Sequence, residues 1–389
     1  MTKIVTASLQ GKVTNALASI LHCTLESVEA AKDRIFMPIG PGLGLAPLPD
    51  VAQPAFLASL LQATTRLNTL SSVKFPVPPY PRTSPSHGAS LYSKYLALAF
   101  QNKHILDEDP CVKLQHTLLE QTKSSRFSKV YDSLSDTNKT IVDSTCDTHA
   151  SGWLTAIPTT PELSASNDTM TTALKTFLGI PLVTEKVTCK FCNASIDDFD
   201  KHALKCRDKG ALMQRHNIIK KCVSDLCVAG GLYVDNEPSI FGFKKSDHDN
   251  HDPEKRDQRR LDLLVHGFGQ NGSNLAIDVS VANPFPANLP PHPNKLAAAE
   301  FRESSKNRKY LSDCYKKNIA FHPFVMDAYG GIPQRTYSYV FKPLVRKIQD
   351  YVPVNWAAPN AETYWLQRLS LTLWKGNAYK VKYLADLYR

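Results

Sequence analysis

Apolar residues recur at three- and four-residue spacing through VTNALASILHCTLESVEAAKDRIF, with Glu26 and Glu29 in the polar positions. That period predicts amphipathic helix over much of residues 1–70. The strip MPIGPGLGLAPLPD interrupts it with turn-forming glycines and prolines, and VAQPAFLASLLQATTRL resumes it. Residues 72–90, SVKFPVPPYPRTSPSHGAS, are dense in proline and serine and read as an exposed linker. From about 91 to 180 the helical pattern returns in SLYSKYLALAFQNKHIL and VKLQHTLLEQT and, more weakly, in FSKVYDSLSDTNKTIVDS. A short packed extension around Trp153 follows, then a helix over 167–178.

The second half changes character. Leu212, Ile219, Val223 and Leu226 share one helical face, which Gly230 and Gly231 end. A short strand is expected at 232–234. Two β-rich runs, 261–269 and 274–284, are separated by Gln270, Asn271 and Gly272 and predict a hairpin. A long helix from Asn294 to about Tyr315 and a strand over Phe321–Val325 complete the order helix, strand, strand, strand, helix, strand. The predicted class is mixed α/β with a mostly helical amino-terminal half. The expected divisions are 1–70, helical; 71–180, linker plus helical domain; 181–210, a metal knuckle; 211–345, the αβ core; and 346–389, a helical extension.

Hydrophobic content of 42% and charged content of 21% are those of a globular chain, which argues against wholesale disorder. A net charge of +10 favours a polyanionic partner, because lysines and arginines displace counterions from phosphates. The nine cysteines are odd in number, and three of them sit with a histidine at metal-ligand spacing. Reduced thiols in an intracellular compartment are therefore expected, not a disulfide framework. The first residues lack the apolar core and cleavage site of a signal peptide. No run approaches the roughly 18 apolar residues a membrane span needs, so a soluble protein is expected.

The densest chemistry begins at Cys189-x2-Cys192-x9-His202-x3-Cys206. A Cys-x2-Cys turn lets two thiolates reach one ion, and His202 and Cys206, one helical turn apart, complete a Cys3His tetrahedron suited to structural Zn2+. A buried cysteine cluster with a surface histidine is the alternative. Asp262 follows Arg259 and Arg260, and Asp278 lies inside the apolar run IDVSV. An aspartate within a strand core is costly unless paired or bound to metal. Two aspartates on adjacent strands could hold Mg2+ or Mn2+ against a phosphodiester. The competing reading is a turn aspartate and a hydrogen-bonded one. Lys306, Lys309 and Arg302 share a helix face that either stabilises phosphate charge or is simply solvated. Glu237 is a candidate third carboxylate or a turn residue. His248, Asp249, His251 and Asp252 read as an exposed loop.

Together, the knuckle, Arg215-His216-Asn217, RRLD ending at Asp262, Asp278, and Lys306 with Lys309-Tyr310 resemble the carboxy-terminal region of LINE-type non-LTR retrotransposon proteins. That family carries a CCHC knuckle, an RHN-like motif, a (K/R)PD aspartate, a second acidic residue and a K-x2-KY helix. DRIFMPIGPGLGL and PAFLASLLQ are similar to the segment just beyond its reverse transcriptase. The resemblance implies a PD-(D/E)XK-type core that cleaves target DNA, with Asp262 and Asp278 as ligands to Mg2+ or Mn2+. Lys306 or Lys309 takes the lysine role, because Ser280 stands where such enzymes often place it. Arg215 and His216 would lie on a DNA-facing helix, with Arg215 contacting phosphate or buttressing the site, and Arg259, Arg260 and Arg302 would contact nucleic acid. DNA is the expected partner, RNA a second candidate, and the nucleus the expected setting. Leu261 replaces the family proline and Pro41 interrupts a Gly-Gly pair. No Y-x-D-D-like polymerase site occurs in the chain, so an endonuclease portion separated from a polymerase is expected. The alternative is a retroelement-derived zinc-knuckle protein that binds nucleic acid without cutting it.

Overall fold

The computed structural model describes residues 2–48, 50–51, 55, 58–59, 110–183, 185, 187–196, 199–206, 208–239, 260–285, 296–351 and 358–388. The expected linker at 72–90, the expected helix at 90–106, most of the helix expected over 51–67, the loop at His248–Asp252 and Arg259 lie outside them. The chain divides into two units. One holds residues up to 133 apart from Ile39–Pro41; the other holds those three residues and Leu134–Arg389. No compact unit begins at 71, 181, 211 or 346, where the composition shifts suggested divisions.

The first unit is helical where described: α1 (Thr2–Leu21), α2 (Leu25–Ala30), α3 (Lys32–Ile35) and α4 (Pro110–Ser133). Leu21, Val28, Ile35 and Met37 form its buried apolar side. Its GPGLGL turn needs glycine for space: a Cβ on Gly42 would stand 2.1 Å from the Arg34 carbonyl oxygen.

In the second unit, α5 (Asp136–Thr145), α6 (Gly152–Thr155) and α7 (Asn167–Leu178) lead to a small hairpin, β1 (Val187–Thr188) with β2 (Ser195–Ile196). The helix expected at 167–178 forms with those bounds, because both ends are capped. Ser166 Oγ accepts from the Thr169 N–H at 3.2 Å, and Gly179 leaves the helix left-handed, at φ 74°.

After α8 (Phe199–Lys205) and α9 (Lys209–Ala229) comes the mixed sheet of β3 (Val234–Asn236), β4 (Leu263–Val265), β5 (Asn274–Ala282) and β6 (Ile319–Asp327). Neighbours pair antiparallel except β5 and β6, which run parallel across the crossover helix α10 (Ala297–Tyr315). The expected hairpin and the element order are both present. The first strand lies two residues later than expected, because Gly231 at φ 74° and the Leu232 N–H bond to the Cys227 carbonyl use those residues as the helix cap.

The sheet is buried on both faces, so its strands read as apolar runs rather than as alternation. Leu263, Val265, Leu275, Ile277, Val279, Phe324 and Met326 pack one way, against Ile219, Val223 and Leu226 of α9. That layer also includes α11 (Lys342–Tyr351), through Leu344, Val345 and Ile348, and α12 (Ala361–Ala385), through Trp365, Leu369 and Leu373. Leu264, Ala276 and Phe321 pack the other way, against Tyr310 and Cys314 of α10. Each such valine, leucine, isoleucine, methionine or phenylalanine side chain contributes about 1.5–3 kcal/mol. The helical extension expected after 346 is thus core: Trp374 on α12 is fully buried and stacks on Trp153 at 4.8 Å. Leu212, expected on the buried face of α9, is 38% exposed. That end of the helix crosses α12 at Gly376, where a Cβ would meet Arg215 Cγ at 2.8 Å, and so does not lie over the sheet.

Candidate functional site

Cys189 follows β1, Cys192 occupies the hairpin turn, His202 sits on α8 and Cys206 follows it, its N–H bonded to the His202 carbonyl at 2.8 Å. The four ligand atoms lie within 4.8 Å of one another, so the set could hold a metal ion such as zinc. Cys189 Sγ stands 3.6 Å from Cys206 Sγ, and Cys192 Sγ 3.6 Å from His202 Nε2. A tetrahedron with metal–sulfur bonds of about 2.3 Å has edges of roughly 3.8 Å, which these approach. Burial pushes the Cys206 thiol up to about 12, and crowding by Cys189 and Cys192 adds to the shift. A divalent cation would relieve that crowding. Burial lowers the His202 pKa, as do Lys205 and Lys380, leaving the imidazole neutral and able to ligate.

The two aspartates meet across the β4–β5 hairpin. Leu263 pairs with Ile277, and one further step of that register sets Asp262 opposite Asp278. Asp262 Oδ1 bonds His216 Nε2 at 3.0 Å. Its Oδ2 accepts from the Val279 N–H at 2.6 Å. Asp278 is 4% exposed and faces α10, where Lys306 Nζ lies 2.5 Å from Oδ2. That buried oxygen has no well-aligned hydrogen-bond donor. Burial raises the Asp278 pKa, Lys306 opposes the rise and the charge of Asp262 adds to it. Arg302, a turn before Lys306, donates from Nε to Ser280 Oγ at 2.9 Å. Lys309 lies 4.6 Å over the Tyr310 ring, and the Tyr310 hydroxyl donates to the Arg260 carbonyl at 3.3 Å.

Two expectations change. Glu237 stands beside Asp262, its N–H bonded to that residue's carbonyl at 2.9 Å. Its carboxylate, however, turns to Lys220 at 2.5 Å and to Arg260 at 3.9 Å, not to the two aspartates. Among the described residues, the Cys3His set is the one group of three or more metal-ligating side chains that converges within 4.8 Å. The phosphate contact expected of Arg215 is a correction, and the buttressing alternative stands. Arg215 is 3% exposed, and its Nη1 donates to Asn377 Oδ1 at 3.0 Å, so it cannot reach nucleic acid. The RHN helix divides its labour by period: His216 points to the sheet end and Arg215 into the contact with α12.

That contact holds charges the sequence did not single out. Asp208 caps α9 by accepting from the Ala211 N–H at 2.8 Å. Lys380, fully buried, lies 3.3 Å from Asp208 and donates to the Cys206 carbonyl at 2.5 Å. Burial lowers Arg215 to about 10, opposed by Asp208 and Asp327. Lys380 falls on the buried face of α12 with Leu373, Asn377, Val381 and Leu384, a helical period that could have marked it. Arg215→Ala should cost about 3–5 kcal/mol, the cost of leaving buried carboxylates uncompensated. Urea unfolding measures this; parent stability with weakened DNA affinity would restore a phosphate role.

Asp327 is 1% exposed and burial raises its carboxyl to about 6, offset in part by the Tyr329 N–H at 2.6 Å and by Arg215. A carboxyl that holds its proton more tightly folded than unfolded, where its pKa is about 3.9, makes stability fall as pH rises between those values. Asp327→Asn should therefore remove a decline on the order of 3 kcal/mol between about pH 4 and pH 6.5. Urea midpoints across that range test it, and a parent-like decline in the variant would assign the effect to another group.

No helix among the described residues is long and apolar enough to cross a membrane. No protein-family model matches the chain, and no curated protein matches it.

Proposed function

We propose that the chain is a divalent-metal-dependent DNA endonuclease of retroelement origin. The observation that carries this reading is Asp278, buried on a sheet strand, opposite Asp262 and against Lys306. Two carboxylates with one buried, unaligned oxygen offer the hard donors that Mg2+ or Mn2+ prefers. A bound metal would lower the pKa of water and offset charge on the phosphate. His216 orients Asp262. Lys306 holds a positive charge beside Asp278, where charge develops on a phosphate, and Lys309 extends that charge outward. Arg260, with its side chain 75% exposed, and Arg302 would engage backbone phosphates. The Cys3His set would hold a structural zinc, because four protein ligands leave no open position. DNA is the proposed partner, RNA a second candidate, and a nuclear setting follows from that substrate.

One observation favours a second reading, a retroelement-derived protein that binds nucleic acid without cutting it. Both oxygens of Asp262 are already engaged, by His216 and the Val279 N–H, and Glu237 serves Lys220 and Arg260. Nicking of supercoiled plasmid in Mg2+ or Mn2+ separates the two. Cleavage by the parent and not by Asp278→Asn supports the nuclease. No cleavage by either, with DNA binding retained, supports the binding protein. Cleavage by both would place the active site elsewhere.

A further inference from the structure

We propose that a cleft at the open edge of the sheet takes an unpaired cytosine of the bound DNA. The cleft, about 250 Å3, opens where edge strand β6 meets α10 and the helical turn at 334–341. Its lining has three chemistries. Glu303 supplies a carboxylate that is 3% exposed. Its Oε1 accepts from the Thr336 N–H at 3.0 Å and from the Thr336 hydroxyl at 2.6 Å, while Oε2 makes no hydrogen bond among the described residues. Asn307 and Arg335 supply donors around it. His322 and Tyr339 form an aromatic wall, their rings nearly parallel at 6° and 5.3 Å apart, and Tyr339 is 58% exposed.

A buried carboxylate beside an aromatic face and amide donors suits a base edge with an amino group next to ring acceptors. Cytosine has that edge with two acceptors, N3 and O2, beside the N4 amino group that donates to the carboxylate. These match the two donor side chains Asn307 and Arg335, whereas adenine sets one acceptor, N1, beside its amino group. Thymine presents O4 where cytosine has the amino group, which sets an acceptor against the carboxylate. Stacking on an exposed aromatic ring holds a base taken out of a duplex or already single-stranded. The cleft adjoins the aspartate site. Pro323, in its wall, pairs with Asp278 across β5 and β6, and Glu303 and Asn307 flank Lys306 on α10. That the base belongs to the strand whose phosphate meets Asp278 rests on the nuclease reading.

The test is fluorescence anisotropy of labelled short oligo(dC) and oligo(dT) on the full chain carrying Asp278→Asn, which leaves the probe uncut. Oligo(dC) should bind at least about fivefold more tightly. Adding Glu303→Gln keeps an oxygen for Thr336 but sets an amide donor against the cytosine amino group, so the preference should disappear. Tyr339→Ala should weaken both probes by about fivefold or more. Equal affinity for the two probes, or a preference that survives Glu303→Gln, overturns the cleft. A parent that fails to nick plasmid yet shows the Glu303-dependent preference keeps the cleft and removes the nuclease. A nicking parent without the preference does the reverse.

Discussion

Asp278→Asn is expected to slow plasmid nicking by at least about a thousandfold, the scale at which loss of a preorganised charge in a dry site appears in kcat. The substitution preserves shape. Asparagine fills the same space on β5 and still offers Lys306 an oxygen, so the fold should survive with a change in stability of about 1 kcal/mol or less. What it removes is the negative charge of a buried carboxylate that faces Lys306. Asp262→Asn should be comparably slow, with a different signature. Its side chain bridges His216 and the Val279 N–H, and an amide can accept from only one of them. A loss of stability should therefore accompany the loss of activity. Initial nicking rates with urea midpoints for the same proteins test both. A parent-like rate in Asp278→Asn would remove the carboxylate from the chemistry.

Stripping metal from the knuckle should produce the largest loss of stability. Isolated zinc sites bind with roughly 10–16 kcal/mol of apparent free energy, and where the site forms only on folding that energy is folding energy. Here the site is tied to the core. The Cys206 carbonyl takes a hydrogen bond from buried Lys380 on α12, and Asp208 both pairs with that lysine and caps α9. Without metal, the crowded thiols must be protonated or repel one another, and the hairpin and α8 lose their common anchor. A fall in melting temperature on the order of 10 °C or more is expected, in chelator and in Cys206→Ser alike. Elemental analysis should find one zinc per chain in the parent. Unchanged melting in metal-free protein would reduce the set to a cysteine cluster.

Local regularities were legible where the signal itself is local. The Cys-x2-Cys and His-x3-Cys spacings depend on one turn and one helical turn, and the four ligand atoms converge as those spacings require. Capped helices such as α7 and the hairpin around Gln270–Gly272 were legible for the same reason. Asp278 could be singled out because an acid amid IDVSV is costly in any fold that buries the run.

Placement was not legible where it depends on what another segment brings. Arg215 and His216 are adjacent in sequence and looked alike as cations. Helical rotation puts one against Gly376 and Asn377, about 160 residues away, and the other against Asp262. The carboxy-terminal helix read as an extension because length and period do not reveal that α9, α7 and α6 surround it. Glu237 looked like a third carboxylate until Lys220, one turn after His216 on α9, claimed it. The Glu303 cleft has no sequence signature, since its walls come from three separate segments.

The sequence by itself thus determined the mixed α/β class, the order of elements in the second unit, the metal-ligand set and the two aspartates to examine. Those rest on period, capping and side-chain chemistry, which act over a few residues. Only the tertiary structure decided which charges face solvent, which are buried and which carboxylates stand together. Each of those depends on long-range packing of both sheet faces, and a buried charge takes its chemistry from whatever the packing places beside it.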